Sequence, residues 1–363
     1  MRHLAMRPTW GQSGKYNILL ITTNNTICQA QISPFYFYQK KLLEKFSIRF
    51  TEIDINRFRA NDYKTKIQPD AIFYQPWFNE PAANISQDLK GIKSKFPQAK
   101  LCFLDSFAPI DLRFAELVDP YIDFYIKKQS FRDATQFAKK TAGDTNLTDY
   151  FSDLYGLNLP QTSRTIPAGF MNKLVVGPGF FTSNQMLPFL SENESFPPRD
   201  RDIDLHARLG GSGGDWYGRM RAHSISAVLD IKSEHKVIDA NVKHKEYMNE
   251  MQRSKICFSP FGFGEVCWRD YEAVITGALL IKPDMQHVLT EPNIFVENKS
   301  YVSVKWDLSD LGEKVDYYLK QPQERARITK NAYQVLRDYV ISDSFPNLIV
   351  KILGSDSVAS KSA

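Results

Sequence analysis

The stretch KICFSPFGFGEVCWRDYEAVITGALLIKPDM, Lys255 to Met285, decides the fold. The apolar run Ile256-Cys257-Phe258 ends in Ser259-Pro260, and Gly262, Gly264 and Glu265 follow. Trp268 to Thr276 reads as a helix closed by Gly277, and a second apolar run, Ala278 to Ile281, stops at Lys282-Pro283-Asp284. Strand, glycine turn, helix and strand in that order make a parallel βαβ unit. Such sheets bind ligands at the carboxyl ends of their strands. A glycine turn lets backbone N–H groups approach a phosphate, and the helix N-terminus adds a favourable partial charge. Ser259, Gly262, Gly264 and Glu265 are therefore candidate ligand contacts. Arg269 and Glu272, at i and i+3, project from about the same helix face. A cation for a diphosphate and a carboxylate that accepts from ribose hydroxyls are what a nucleotide-sugar site needs. The competing reading is a solvated surface ion pair.

The rest of the second half repeats the alternation. Ile203 to Leu209 is expected to be a strand, followed by the turn Gly210-Gly211-Ser212-Gly213-Gly214 and a helix from Tyr217 to Leu229. Gly211, Arg219 and Arg221 are candidates for phosphate contact, because arginine binds phosphate oxygens bidentately. A flexible loop leading into a basic helix is the alternative. Lys236 to Ile238, Asn293 to Val296 and Tyr301 to Val304 read as short strands. Lys245 to Gln252, Asp310 to Leu319 and Gln323 to Tyr339 read as helices.

The first half opens with Tyr16 to Thr23, continuously apolar as buried parallel strands are. Further strands are expected at Ile48–Ile55, Asp70–Tyr74, Lys100–Leu104 and Asp123–Ile126, with helices at Pro34–Phe46, Ser86–Lys95 and Asp111–Leu117. Pro34 suits a first helical turn. Strands alternating with helices argue for an open parallel sheet covered on both faces. The pattern loosens from Ser130 to Arg199, and Pro197 to Asp202 reads as a stiff, polar boundary. The expected organisation is a leader at 1–15, a first domain at 16–200, a second at 201–340 and a tail at 341–363, low in complexity after Gly354.

With 43% hydrophobic residues the chain can bury sizeable cores, which excludes a disordered protein. A net charge of +5 with interspersed signs offers no nucleic-acid arm, so no nucleic-acid partner is expected. That mild basicity suits an anionic donor and also a peripheral contact with an anionic membrane face. Cys28, Cys102, Cys257 and Cys267 show no metal or disulfide spacing, which points to a reducing compartment. No signal-peptide core or apolar run of transmembrane length is present, and a cytoplasmic location is expected.

The strand, the Ser-Pro-x-Gly turn and Arg269-x-x-Glu272-Ala273 resemble the donor-binding region of exostosin-like glycosyltransferases of the GT-B type, over roughly Asp202 to Tyr339. Many retaining GT-B enzymes place seven residues between two glutamates, against six between Glu265 and Glu272 here. The resemblance implies an α/β fold of GT-B type, two Rossmann-like domains facing across a cleft. It implies transfer of a sugar from a nucleoside diphosphate to a glycan or lipid-linked carbohydrate, with no cofactor and no metal if arginines and helix N-termini neutralise the diphosphate. An inverting transfer needs a base. Asp105, directly after the strand KLCFL, fits by position; Asp111 is its rival, and a turn cap is the bland alternative for Asp105. His287 lies near enough in sequence to the donor turn to be a second candidate. A nucleotide-sugar epimerase and a non-catalytic nucleotide-sugar-binding module are the rival functions.

Overall fold

The computed structural model describes residues 15–63, 68–191, 194–197, 200–210, 213–240 and 242–354. The expected leader, apart from Lys15, and the segment after Gly354 lie outside the described residues. The described residues form two large parallel sheets and two small two-stranded antiparallel ones. In the first half β1 (Tyr16–Thr22), β2 (Ile48–Asp54), β3 (Ala71–Gln75), β4 (Lys100–Asp105), β5 (Phe124–Lys127) and β6 (Leu174–Val176) lie in the order β2-β1-β3-β4-β5-β6. In the second half β7 (Ile203–His206), β8 (Val237–Ile238), β9 (Ser254–Phe258), β10 (Leu279–Pro283) and β11 (Val302–Val304) lie in the order β8-β7-β9-β10-β11. Neighbouring strands within each large sheet pair in parallel: Ile18 faces Phe50 and Ala71, and Cys257 faces His206 and Leu280. Each order reverses once, between β1 and β3 and between β7 and β9. Those reversals open the crevices where ligands of open α/β sheets bind.

The organising stretch folds as its punctuation demands. The helix Trp268–Thr276 starts on a cap in which the Asp270 carboxylate accepts from the Cys267 N–H at 2.8 Å. It ends at Gly277, whose φ of +77° is left-handed backbone that a Cβ would strain. Its residues from Asp270 to Thr276 are all buried.

Other segments differ from expectation. The helix expected from Pro34 starts at Thr26, where the Asn25 side chain accepts from Ile27 N, and runs to Phe37 with Pro34 inside it. Proline removes the hydrogen bond to the Ala30 carbonyl, and the Thr182 hydroxyl donates to that carbonyl instead, at 2.8 Å. The helix expected at Asp111–Leu117 is only Ala115–Val118, because Asp111 is engaged by Arg113. Asn293 to Val296 is not a strand. Asn146–Tyr155, where no helix was expected, is one, capped reciprocally by Thr145 and Thr148. The span 341–363 is not simply a tail, since Ser344–Leu353 is a helix with Phe345, Ile349 and Ile352 buried.

A single apolar cluster runs from the first sheet through Phe181 and Tyr271 into the helix Pro322–Ile341. A smaller cluster fills the other face of the second sheet, around Leu205, Phe258 and Ile281. The chain returns to the first half at its end. Phe345 packs edge-on against Phe35, the Tyr38 hydroxyl donates to the Val340 carbonyl at 2.6 Å, and Asp343 pairs with Lys41 and Lys45.

Candidate active site

The order reversal of the second sheet places the ends of β7 and β9 side by side. An open pocket of ≈ 420 Å³ lies there, walled by the helix from Trp268, the start of the helix His244–Arg253 and the turn at Pro260 and Gly262. Arg269 and Glu272 both line it. They form no direct ion pair. Tyr247 stands between them, donating its hydroxyl to Glu272 Oε2 at 2.9 Å and accepting from Arg269 Nε at 3.3 Å. Arg269 also donates to the Arg208 carbonyl. Glu272 is 8% exposed, and burial raises its carboxyl above the usual range while Tyr247 and Arg269 oppose that shift. The pair is thus a preorganised part of the pocket wall rather than a solvated surface bridge.

The pocket has a positive floor. Arg221 lines it and ties the two glycine turns together, donating to the Gly210 carbonyl at 2.8 Å and the Phe261 carbonyl at 3.4 Å. Arg208, just past β7, is bidentate to Glu250 at 2.7 Å. His206, at the end of β7, is fully buried with no hydrogen bond to either ring nitrogen. Burial, then the charges of Arg269 and Arg208, push its pKa down to about 3. His206 is therefore neutral at pH 7, chiefly because burial disfavours the charged ring.

Not every predicted residue reaches this pocket. Gly211 lies outside the described residues. Arg219 is exposed and donates to the Tyr155 carbonyl of the first half, so it serves the junction between halves rather than the pocket. Ser259 turns inward: its hydroxyl donates to Asp270, which also pairs with the buried Lys282 at 3.2 Å. Gly262 does line the pocket. Gly264 is required for another reason, since a Cβ there would stand 2.0 Å from the Ala108 carbonyl oxygen of the first half. Glu265, the next residue, is fully buried against the first half. Its Oε2 accepts from Gln129 Nε2 at 2.7 Å, and Gln129 Oε1 accepts from Val266 N at 3.2 Å. Its Oε1 is buried without a hydrogen-bond partner among the described residues, and burial pushes its carboxyl up to about 7. The turn expected to cradle phosphate is therefore split: Gly262 faces the pocket, while Gly264 and Glu265 clasp the first half.

Asp105 is not available as a base. It is 2% exposed, pairs with the fully buried Lys127, and accepts from the Tyr125 hydroxyl at 2.6 Å and from Phe107 N at 2.8 Å. The turn cap and a structural ion pair account for it. Its rival Asp111 is held by Arg113 and Arg164, which keep its carboxyl below the usual range despite burial. His287 lies between Phe131 and Trp306, in the antiparallel contact of Ser130–Phe131 with Val288–Leu289 that joins the halves. Burial, then Lys282, push its pKa down to about 4, so it is neutral at pH 7, and it does not line the pocket. Two Asp-x-Asp spacings, Asp200–Asp202 and Asp202–Asp204, enter β7 at the end away from the pocket. There Asp202 pairs with Lys236 and Arg253, and Asp204 with Lys255.

The pocket residues that sequence reading missed include His244 and Tyr247. His244, Tyr247 and Met251 recur at helical spacing, with Met251 in the core, and that period could have aimed the first two inward.

This geometry is that of a GT-B type α/β fold. Solved structures share it: a glycosyltransferase from Rickettsia africae (13% identical, TM-score 0.53, covering 96% of this chain and 100% of that one); a protein from Listeria monocytogenes described as a UDP-N-acetylglucosamine 2-epimerase (10%, 0.51, 94% and 98%); and an alpha-glucosyltransferase in complex with UDP-glucose and DNA containing an abasic site (9%, 0.50, 93% and 98%). Residues 194–345, the second half with its site, match the family model described as Glycosyl transferase-like. No curated protein matches the chain in sequence. No helix among the described residues is long and apolar enough to cross a membrane.

Proposed function

We propose that this chain is a glycosyltransferase that takes its sugar from a nucleoside diphosphate. The observation that carries the reading is the Arg269–Tyr247–Glu272 relay in the wall of an open, positively floored pocket at the order reversal of the second sheet. Arg269 and Arg221, with the N-terminus of the helix from Trp268, meet the diphosphate charge. Glu272 accepts from the ribose hydroxyls, and His244 and Tyr247, stacked at 19° between ring planes, present an aromatic edge for the base. This division of labour assigns the diphosphate to arginines, with no metal or cofactor. The family match over residues 194–345 supports transferase chemistry; the exostosin-like subgroup rests on Arg269-x-x-Glu272-Ala273 alone. The four free cysteines fit a reducing compartment such as the cytoplasm. A glycan or lipid-linked carbohydrate is the acceptor in this reading. The DNA in one structural neighbour means that the fold lends no support to leaving nucleic acid out; that expectation rests on the interspersed charges alone.

Calorimetric titration with uridine and UDP tests the site. Arg269→Ala should weaken UDP by roughly 1.5–3 kcal/mol and uridine far less, since the lost contact is charge-assisted. Glu272→Gln should weaken both about tenfold. Equal losses for both ligands in Arg269→Ala, or no nucleotide binding by the parent protein, would overturn the assignment. Release of the diphosphate only when an acceptor is present separates transfer from epimerisation and from binding alone.

A further inference from the structure

The ends of β3 and β4 carry an aromatic group that the donor site does not use. Trp77 and Phe78 follow the end of β3, beside the order reversal of the first sheet. Their ring centroids are 4.6 Å apart, and Phe78 is 40% exposed. Phe78 rests on Phe107 at 5.2 Å, and Phe107 is backed by the Arg113 guanidinium 3.8 Å from its ring centroid. Arg113 is itself fixed by Asp111, at 2.9 and 2.7 Å, and by Asp144 at 3.0 Å. The exposed Phe78 and the half-buried Trp77 thus stand on a clamped support, and ordering them costs little on binding. A chain of contacts joins them to the donor pocket. The Phe107 carbonyl accepts from Lys128 Nζ at 2.7 Å, and that ammonium lies 4.9 Å from the Phe180 ring centroid. Phe180 stacks at 4.7 Å on Trp268, which lines the pocket. Ala108, next to Phe107, abuts Gly264.

We propose that Trp77 and Phe78 form the platform on which a pyranose ring of the acceptor stacks, so that the acceptor is a saccharide; this rests on the glycosyltransferase reading above. The C–H face of a pyranose is apolar and slightly positive, and the face of an aromatic ring is negative, so the two attract beyond simple burial. The hydroxyl rim of a sugar needs polar partners, and Arg113, over the Phe107 ring on which Phe78 rests, brings charge together with its half-exposed partner Asp144 to the support of the rings. A ring-sized apolar surface with charge at its support fits a sugar rather than an extended alkyl chain.

Saturation-transfer NMR on the full chain, without nucleotide, tests this with the methyl pyranosides of glucose, galactose, mannose and N-acetylglucosamine. At least one should receive saturation at its ring C–H protons. Trp77→Ala and Phe78→Ala should each weaken it at least fivefold while UDP affinity stays unchanged. Phe78 is exposed enough that its truncation leaves the fold intact, as circular dichroism will show. Absence of binding by all four glycosides, or binding unchanged in both variants, overturns the proposal. So does a polyprenyl phosphate that needs Trp77 while no pyranoside binds, since the surface then serves a lipid. Arg269→Ala separates the two readings: loss of UDP binding with retained pyranoside binding upholds the platform, and the platform can fail while UDP still binds.

Discussion

Glu265→Gln should make the protein more stable at alkaline pH and leave it nearly unchanged in acid. Glu265 is fully buried between the halves, and burial pushes its carboxyl from the usual 4.5 up to about 7. Below the unfolded value both states hold the proton, and folding pays no penalty. Between 4.5 and about 7 the unfolded chain releases its proton while the folded chain keeps it. Stability therefore falls by about 1.4 kcal/mol per pH unit, to a total on the order of 3 kcal/mol above pH 7. Glutamine keeps an oxygen for the Gln129 amide and cannot ionise. Urea unfolding of parent and variant at pH 4.5, 6 and 8 is the assay. Lys128, pushed down to about 7 by burial and then Lys127, titrates in the same window, and the Glu265 charge opposes that shift, so the difference between the two proteins reads Glu265 together with its coupling to Lys128. That difference should grow with pH in favour of the variant. A difference constant from pH 4.5 to 8 would refute the argument.

Gly264→Ala should destabilise by more than the ~1–3 kcal/mol of ordinary overpacking, because its Cβ would meet a backbone oxygen that cannot turn aside; thermal unfolding measures this, and an unchanged midpoint would contradict the contact. Asp105→Asn should cost about 3–5 kcal/mol by leaving Lys127 buried and unpaired; if it folds normally and loses only turnover, Asp105 is catalytic after all. Tyr247→Phe removes the hydroxyl between Arg269 and Glu272 and should weaken UDP binding several-fold with a stability change of about 1–2 kcal/mol, read by calorimetry and thermal unfolding.

The sequence made the sheet strands legible where burial is continuous. Tyr16–Thr22 and Lys100–Asp105 are almost unbroken apolar runs, and the helix Trp268–Thr276 is bounded by Cys267 and Gly277, whose signals are local. Pro34 misled because a proline inside a helix is tolerable only when something else satisfies the freed carbonyl, and Thr182 lies 152 positions away. The helix Asn146–Tyr155 was obscured by polar residues; its buried Phe151 gains meaning against Trp216 and Trp306 of the other half. Arg269 and Glu272 were visible as a pair because their spacing is helical. That Asp105 was taken already by Lys127, and Glu265 by Gln129, was invisible because both partners come from other parts of the fold.

The return of the chain end to the first half also governs how the molecule can be made. The Tyr38 hydroxyl meets the Val340 carbonyl across 302 positions, and Phe345 completes the packing over Phe35. A nascent chain normally folds its leading domain while the rest is still being made. Here that leading sheet keeps an uncovered apolar face around Phe35 and Tyr38 until nearly all of the described chain has left the ribosome. Truncation before Ser344 should therefore harm the half farthest away in sequence, leaving a nascent first sheet open to aggregation and to chaperone capture.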